Sequence, residues 1–125
     1  MTWHPGKMML ALRELEWHRY HMTQLFEKYD LLMNPTMAVA AHLIGEPPET
    51  IDGKKVSPLW GKNPFNFLTN MGGQPAASVP CGFTHDGAPV GLHIAGGIGH
   101  DGMVLMASAA FEKAQPWADK HPPVS

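Results

Sequence analysis

The sequence predicts an α/β fold, a partial mixed β-sheet with flanking helices, on three observations. A long segment near the start repeats its apolar residues at the helical period of about 3.6. Short, nearly all-apolar runs bounded by proline, asparagine and glycine follow, the pattern of strands covered on both faces. A second helical segment comes last, and helices placed before and after strands are best satisfied by packing on a common sheet. Strands are expected near residues 30–34, 76–80 and 90–95, and helices near 8–29, 64–71 and 102–114.

Met1–Lys7 contains Pro5-Gly6 and reads as an irregular lead-in. From Met8 to Tyr29 no proline or glycine interrupts the chain. Met8, Ala11, Leu12, Leu15, Met22, Leu25, Phe26 and Tyr29 form one stripe, with Arg13, Glu16, Gln24, Glu27 and Lys28 opposite. This is an amphipathic helix lying on a sheet. Glu14, His18 and His21 project from one flank, and carboxylate and imidazole groups at this spacing could converge on Zn²⁺. The alternative is a polar flank with Glu14 and His18 as an i,i+4 pair. One helix offers no fourth ligand, so no metal site is assigned and no cofactor is expected.

Asp30–Asn34 is a short apolar run stopped by Pro35, a buried strand. Residues 36–63 lack periodicity and form an excursion, of a length usually functional or mobile. Pro47-Pro48 and Asp52-Gly53 mark turns within it, Lys54-Lys55 a solvated face, and Met37–Ile44 is apolar enough to touch a partner or make a short helical turn. Asn63-Pro64 then reads as an N-cap followed by a first-turn proline. Phe65, Leu68 and Thr69 face inward, and Gly72 or Gly73 ends the helix.

The stretch Gly72–Gly97 is the centre of the chain. Ala76–Val79 and Val90–Ala95 read as strands joined by a turn at His85-Asp86-Gly87-Ala88-Pro89, where Asp-Gly supplies the positive φ that a tight hairpin needs. Gly91, Gly96, Gly97 and Gly99 imply that something packs closely on this backbone. Asp101 is a candidate N-cap for a closing helix. From Met103 to Phe111 that helix has almost no polar face, which predicts burial. Gln115-Pro116-Trp117 stops it, and Lys120–Ser125 is a polar tail.

The runs NMGGQPAASVPCGF (70–83) and DGAPVGLHIAGG (86–97) resemble the closing portion of amidase-signature enzymes, which carry a G-x-P-A-x-S-V-P-x-G series and a G-x-P-V-G-L-Q-type strand. Tyr29–Thr36 is similar to that family's Y-D-x-L-x-x-P-T strand, and Phe111–Trp117 continues the match. His93 stands where the pattern usually has glutamine. The resemblance implies that residues 1–125 are a single C-terminal amidase-like domain or fragment of an amide hydrolase acting on non-peptide C–N bonds. It also implies that 36–63 borders the substrate cleft, with Trp60, Phe65, Phe67 and Met71 as its wall; plain core packing is the alternative for each. Family members use a nucleophilic serine, a second serine and a lysine, the serines in a Gly/Ser-rich stretch upstream of the matched portion. Here the serines are Ser57, Ser78, Ser108 and Ser125, with no Ser-Ser pair, so no catalytic residue is assigned. Lys55 and Ser57 are close in sequence but read as a solvated loop, and Cys81 reads as inert packing. The expectation is a chain inactive alone, with a small amide as substrate only of the complete enzyme.

Composition points the same way. Charged residues are only 16% of the chain against 44% hydrophobic, so some apolar surface belongs against another copy or a missing N-terminal amidase segment. A non-enzymatic, self-associating or partner-binding module is the alternative. The net charge of −2 offers no field for nucleic acid or anionic lipid. One cysteine excludes an internal disulfide and fits a reducing, cytoplasmic location. Neither a membrane span nor a signal-peptide pattern is visible in the sequence.

Overall fold

The computed structural model describes residues 4–120. Helix α1 (Pro5–Phe26) leads into strand β1 (Leu31–Pro35), and a miniature hairpin follows, β2 (Thr50–Ile51) with β3 (Lys54–Lys55). Helix α2 (Pro64–Gly72), the long hairpin β4 (Ala76–Phe83) and β5 (Pro89–Gly96), and helix α3 (Asp101–Ala114) complete the order. β5 is the middle strand of a three-stranded sheet ordered β1-β5-β4, and both of its pairings are antiparallel. The helix-and-partial-sheet architecture is the one expected.

The first helix starts earlier than its stripe implies. Pro5 sits at the first helical position, where it gives up only an N–H that would be unpaired, and the His4 imidazole accepts from the Gly6 N–H at 3.2 Å. The expected lead-in is therefore helical from Pro5; Met1–Trp3 lie outside the described residues. The helix ends at Phe26, and residues 27–29 turn the chain toward β1. α3 begins at Asp101 with His100 as its N-cap, which makes no side-chain hydrogen bond. Asp101 is thus a first-turn acid beside the positive helix end, and not the cap. Asn63 stands at the N-cap of α2 without a side-chain capping bond. The other end of α2 is closed as expected: Gly73 adopts φ 81° and returns its N–H to the Thr69 carbonyl.

β4 runs on through Pro80 to Phe83, beyond the expected stop. Proline is tolerated at sheet edges and bulges, and β4 is an edge strand whose register slips between Pro80 and Gly82. The turn closes through Thr84 and Ala88, with Gly87 at φ 86°. In the excursion, Asp52-Gly53 turns the β2–β3 hairpin, and Met37–Ile44 makes no helical turn.

Both faces of β5 are covered only at its C-terminal end. α3 lies over the face carrying Ile94 and Gly96, where a Cβ on Gly96 would stand 3.0 Å from Val104 Cγ2. α2 and the end of α1 lie over the other: Thr69 reaches His93, and a Cβ on Gly97 would stand 3.3 Å from the Phe26 Cβ. His93, Ile94, Ala95 and Gly96 are all buried in consequence. Toward Pro89 the second face opens, since α2 has only nine residues, and Ala76, Ser78 and Pro80 of β4 are exposed. The two-sided cover expected of both strands is confined to this half of β5.

Among the described residues, the buried apolar ones are Met22, Val79, Ile94, Ala95 and Val104. α1 buries only Met22 of its stripe, because at 22 residues it outruns what it packs on. α3, expected to be buried all round, buries only Val104 and leaves Leu105 and Met106 67% exposed. Its apolar circumference meets the sheet on one side and, among the described residues, is left uncovered at Leu105 and Met106.

Candidate functional site

The open face of the sheet and the loops beside it carry the polar groups that sequence reasoning brings forward. His93 sits at the centre of a cross-strand row, paired in register with Asn34 on β1 and Ser78 on β4. Its Nδ1–H donates to Asn34 Oδ1 at 3.1 Å, and Nε2 lies 3.5 Å from the Thr69 hydroxyl, which also reaches the Asn66 carbonyl at 3.2 Å. His93 and Thr69 are both buried. The imidazole therefore ties β1 to β5 and the sheet to α2. Burial holds its pKa below the ordinary 6.5, because the charged ring would lose its hydration.

The sign of the resulting pH dependence follows from linkage. The unfolded chain takes up a proton near the ordinary value while the folded chain resists it, so acid favours unfolding. Stability from this group is complete above pH 6.5 and is lost as pH falls toward the depressed folded value. The expected result is a melting temperature that drops as pH falls below the ordinary imidazole value of 6.5. In His93→Gln, which cannot titrate, the drop is shallower. Parallel curves for the two proteins would exclude His93 as the cause.

Beside this row, the Thr36 and Ser78 hydroxyls meet at 2.6 Å. They do so over Gly91, where a Cβ would lie 2.7 Å from each hydroxyl oxygen. Neither composition nor periodicity brings Thr36 to Ser78; the only sequence signal is the pairing of two motif ends, P-T and S-V-P, on opposite sides of a glycine-bearing strand.

Of the four expected wall residues, the structure brings two together. The Trp60 and Phe67 rings meet edge to face with centroids 5.4 Å apart. Trp60 is 58% and Met71 46% exposed, and Phe65 is half-buried on α2. α2 is held on α1 by polar contacts at its C-terminal end: His18 Nε2 bonds the Leu68 carbonyl at 2.6 Å, and Arg19 Nε donates to the Met71 carbonyl at 3.2 Å. Basic side chains complement the negative end of a helix in this way.

Those contacts also engage the two histidines of the helix flank. His18 is turned to α2 and His21 bonds the Trp17 carbonyl at 2.8 Å. Among the described residues, no three His, Cys, Asp or Glu side chains gather to hold a metal ion. The three serine hydroxyls among the described residues have other partners as well, and Ser125 lies outside those residues. Ser57 accepts from the Trp60 N–H, Ser108 donates to the Val104 carbonyl, and Ser78 pairs with Thr36. Lys55 lies exposed in β3. Cys81 is half-buried, its thiol 3.5 Å from the Val90 carbonyl.

The arrangement thus consists of a hydroxyl pair over a glycine, a buried polar row and a Trp60–Phe67 ring contact. The family model for amidases matches residues 5–105. The chain belongs to the amidase family. This amidase chain is 40% identical over 101 residues to an acylamidase of Rhodococcus erythropolis, covering 80% of the chain and 21% of that protein. It is 31% identical over 117 residues to the putative amidase AmiC of Mycobacterium tuberculosis H37Rv, covering 94% of the chain and 25% of that protein. A bacterial aryl acylamidase of the amidase signature family superposes with a TM-score of 0.82 at 37% identity, over 91% of the chain and 24% of the enzyme. A 6-aminohexanoate cyclic dimer hydrolase superposes with a TM-score of 0.78 at 25% identity, over 96% and 26%. The amidase chain thus spans about a fifth to a quarter of its relatives' length. Among its described residues, no helix is long and apolar enough to cross a membrane.

Proposed function

We propose that these residues are the C-terminal portion of an amidase-signature amide hydrolase, acting on a small non-peptide amide in the complete enzyme. The observation that carries this reading is surface left uncovered on elements that the family pattern makes apolar. Leu105 and Met106 on α3 and Ile98 beside it are each about two-thirds exposed, an arrangement that monomers seldom keep over a large patch. The chain contributes a section of sheet and one wall of the cleft, with Trp60, Phe65, Phe67 and Met71 facing the acyl group. The nucleophilic serine, its partner serine and the lysine come from residues outside these 125. A serine needs a base within hydrogen-bond reach to attack an amide carbon, and none of the bonds made by Ser57, Ser78 or Ser108 provides one. No cofactor enters this chemistry. The single cysteine fits the reducing cytoplasm.

The test is complementation. Co-expression with a Gly/Ser-rich upstream segment from a family member is expected to yield hydrolysis of a simple aryl or aliphatic amide that neither piece gives alone. Steady turnover by the sequence-verified chain by itself, or two folded chains that ignore each other, would count against the reading. The same bare faces favour a second reading, a self-associating module. Sedimentation of the lone chain at micromolar concentration separates the two, since a clean monomer removes self-association.

A further inference from the structure

The side of α1 turned away from α2 and the sheet carries a pattern of its own. Met9, Arg13, Glu16 and Tyr20 recur at intervals of four, three and four residues, which places them within about 60° of one another around the helix. His18, bonded to α2, and the buried Met22 stand nearly opposite. Leu12 and Trp17 flank the stripe, one on each side, and all six residues are exposed. Two open hollows share Arg13 and Glu16: one runs on to Trp17 and Tyr20, the other to Met9 and Leu12. The result is one continuous surface with apolar ends and a charged middle. Met, Tyr, Trp and Arg are the residues enriched where separately folded molecules meet.

Spacing of four, three and four is that of a coiled-coil seam, so the partner that fits it is another helix. Charge then chooses the partner's sequence and direction. In a parallel pair of α1 helices, like positions meet, and Arg13 faces Arg13 while Glu16 faces Glu16. In an antiparallel pair about a two-fold axis, Arg13 of each copy meets Glu16 of the other, and Met9 meets Tyr20. Trp17 and Leu12 close the two sides of the seam against their own counterparts. Arg19 Nη1 donates to Glu16 Oε1 at 2.9 Å, which steadies the carboxylate and leaves Oε2 for a further donor. Arg13 stands 3.9 Å from Glu14, a loose exposed pair that costs little to give up. The stretch Met9–Tyr20 is about 17 Å long. With an exposed Trp and Tyr from each copy, the pair buries on the order of 1,000 Å², at the small end for a stable complex. Charge in the seam also fixes register at a cost in stability. Such a dimer is weak and reversible.

We propose that α1 pairs two copies of this chain antiparallel, about a two-fold axis between reciprocal Arg13–Glu16 contacts. The pairing rests on the self-association reading, to which it gives a face and a register, and it is independent of amide hydrolysis.

The experiment is sedimentation equilibrium of the 125-residue chain from micromolar to submillimolar concentration, with charge-reversed variants. The unaltered chain is expected to dimerise. Arg13→Glu and Glu16→Arg should each weaken the dimer at least about tenfold, because both reciprocal contacts become repulsive. An equimolar mixture of these two variants should dimerise again, since each offers the charge that the other lacks. The double variant Arg13→Glu/Glu16→Arg should also regain the dimer, and Trp17→Ala should weaken it about tenfold. Should Glu16→Arg loosen α1 by releasing Arg19, Arg13→Glu and Trp17→Ala still decide. A monomer throughout the range overturns this pairing and the self-association reading together. A dimer that ignores Arg13→Glu, or that Leu105→Glu dissolves instead, overturns the pairing alone. Loss of complementation by an upstream amidase segment in Arg13→Glu would assign this face to that segment and overturn the pairing likewise.

Discussion

Replacing Ile94 with alanine is expected to cost about 3 kcal/mol of folding stability. Among the described residues Ile94 is the one large side chain with no exposure, and it sits mid-strand on β5, in register with Met33 on β1 and Ala77 on β4. α3 closes over its face of the sheet, so the vacated volume has neighbours on every side and little room to collapse. Only five apolar residues are buried in the described chain, which places its stability at the low end of the usual range of about 5–15 kcal/mol. A loss of this size would remove more than half of a stability of about 5 kcal/mol. Ile94→Val, removing a single methyl, is expected to cost about 1 kcal/mol. Urea midpoints measured with unchanged slope would give both values. A cost below about 1 kcal/mol for the alanine variant would show that Ile94 is not the centre of the core.

The second large effect is expected at Gly91. An alanine Cβ there would stand 2.7 Å from both Ser78 Oγ and Thr36 Oγ1, and 3.1 Å from the Thr36 Cβ. The two hydroxyls must part, giving up their mutual bond, while the Thr36 backbone stays pinned by its N–H to the Gly91 carbonyl at 2.9 Å. Overpacking of this kind costs about 1–3 kcal/mol. Ser78→Ala on its own loses the hydroxyl pair, about 1 kcal/mol. The informative protein is the double variant, because deleting the Ser78 oxygen clears half of the space that the new methyl needs. Its destabilisation is expected to fall short of the sum of the single variants by about 1 kcal/mol. Strict additivity would mean that Gly91 is required for some reason other than these hydroxyls.

The elements legible in the sequence were those whose signals are local. The Asp86-Gly87 turn, the apolar run into Ala95 and the helical period of α1 each depend on neighbours within a turn or two; the first two stand where they were expected, while α1 begins and ends three residues early. Strand β4 ran past Pro80 because an edge position forgives a missing N–H, and which strand lies at an edge is a property of the whole sheet. His4 escaped notice as a cap since imidazole is not among the usual capping groups. The exposure of α3 was illegible for a different reason. Leu105 and Met106 record what the helix is made to touch, and the pattern is silent on whether that surface is present in the same 125 residues. The candidate site divides in the same manner. His93 was marked by its departure from the family pattern, but its partners Asn34 and Thr69 come from elements brought to it only by folding. Trp60 and Phe67 were named together and do meet. The hydroxyl pair over Gly91 joins residues from distant parts of the chain.

The place of β5 between β1 and β4 also sets an order of assembly. β4 and β5 are neighbours along the chain and zip from a tight turn, whereas Asn34 must find His93 across 59 positions. Closing so long a loop is paid for in chain entropy before any contact rewards it. The hairpin with α3 is therefore the early, local unit, and α1 with β1 arrives last and departs first. Amide protons of β1 should exchange with solvent well before those that β4 and β5 share, making the front of the chain the latch on a body already formed behind it.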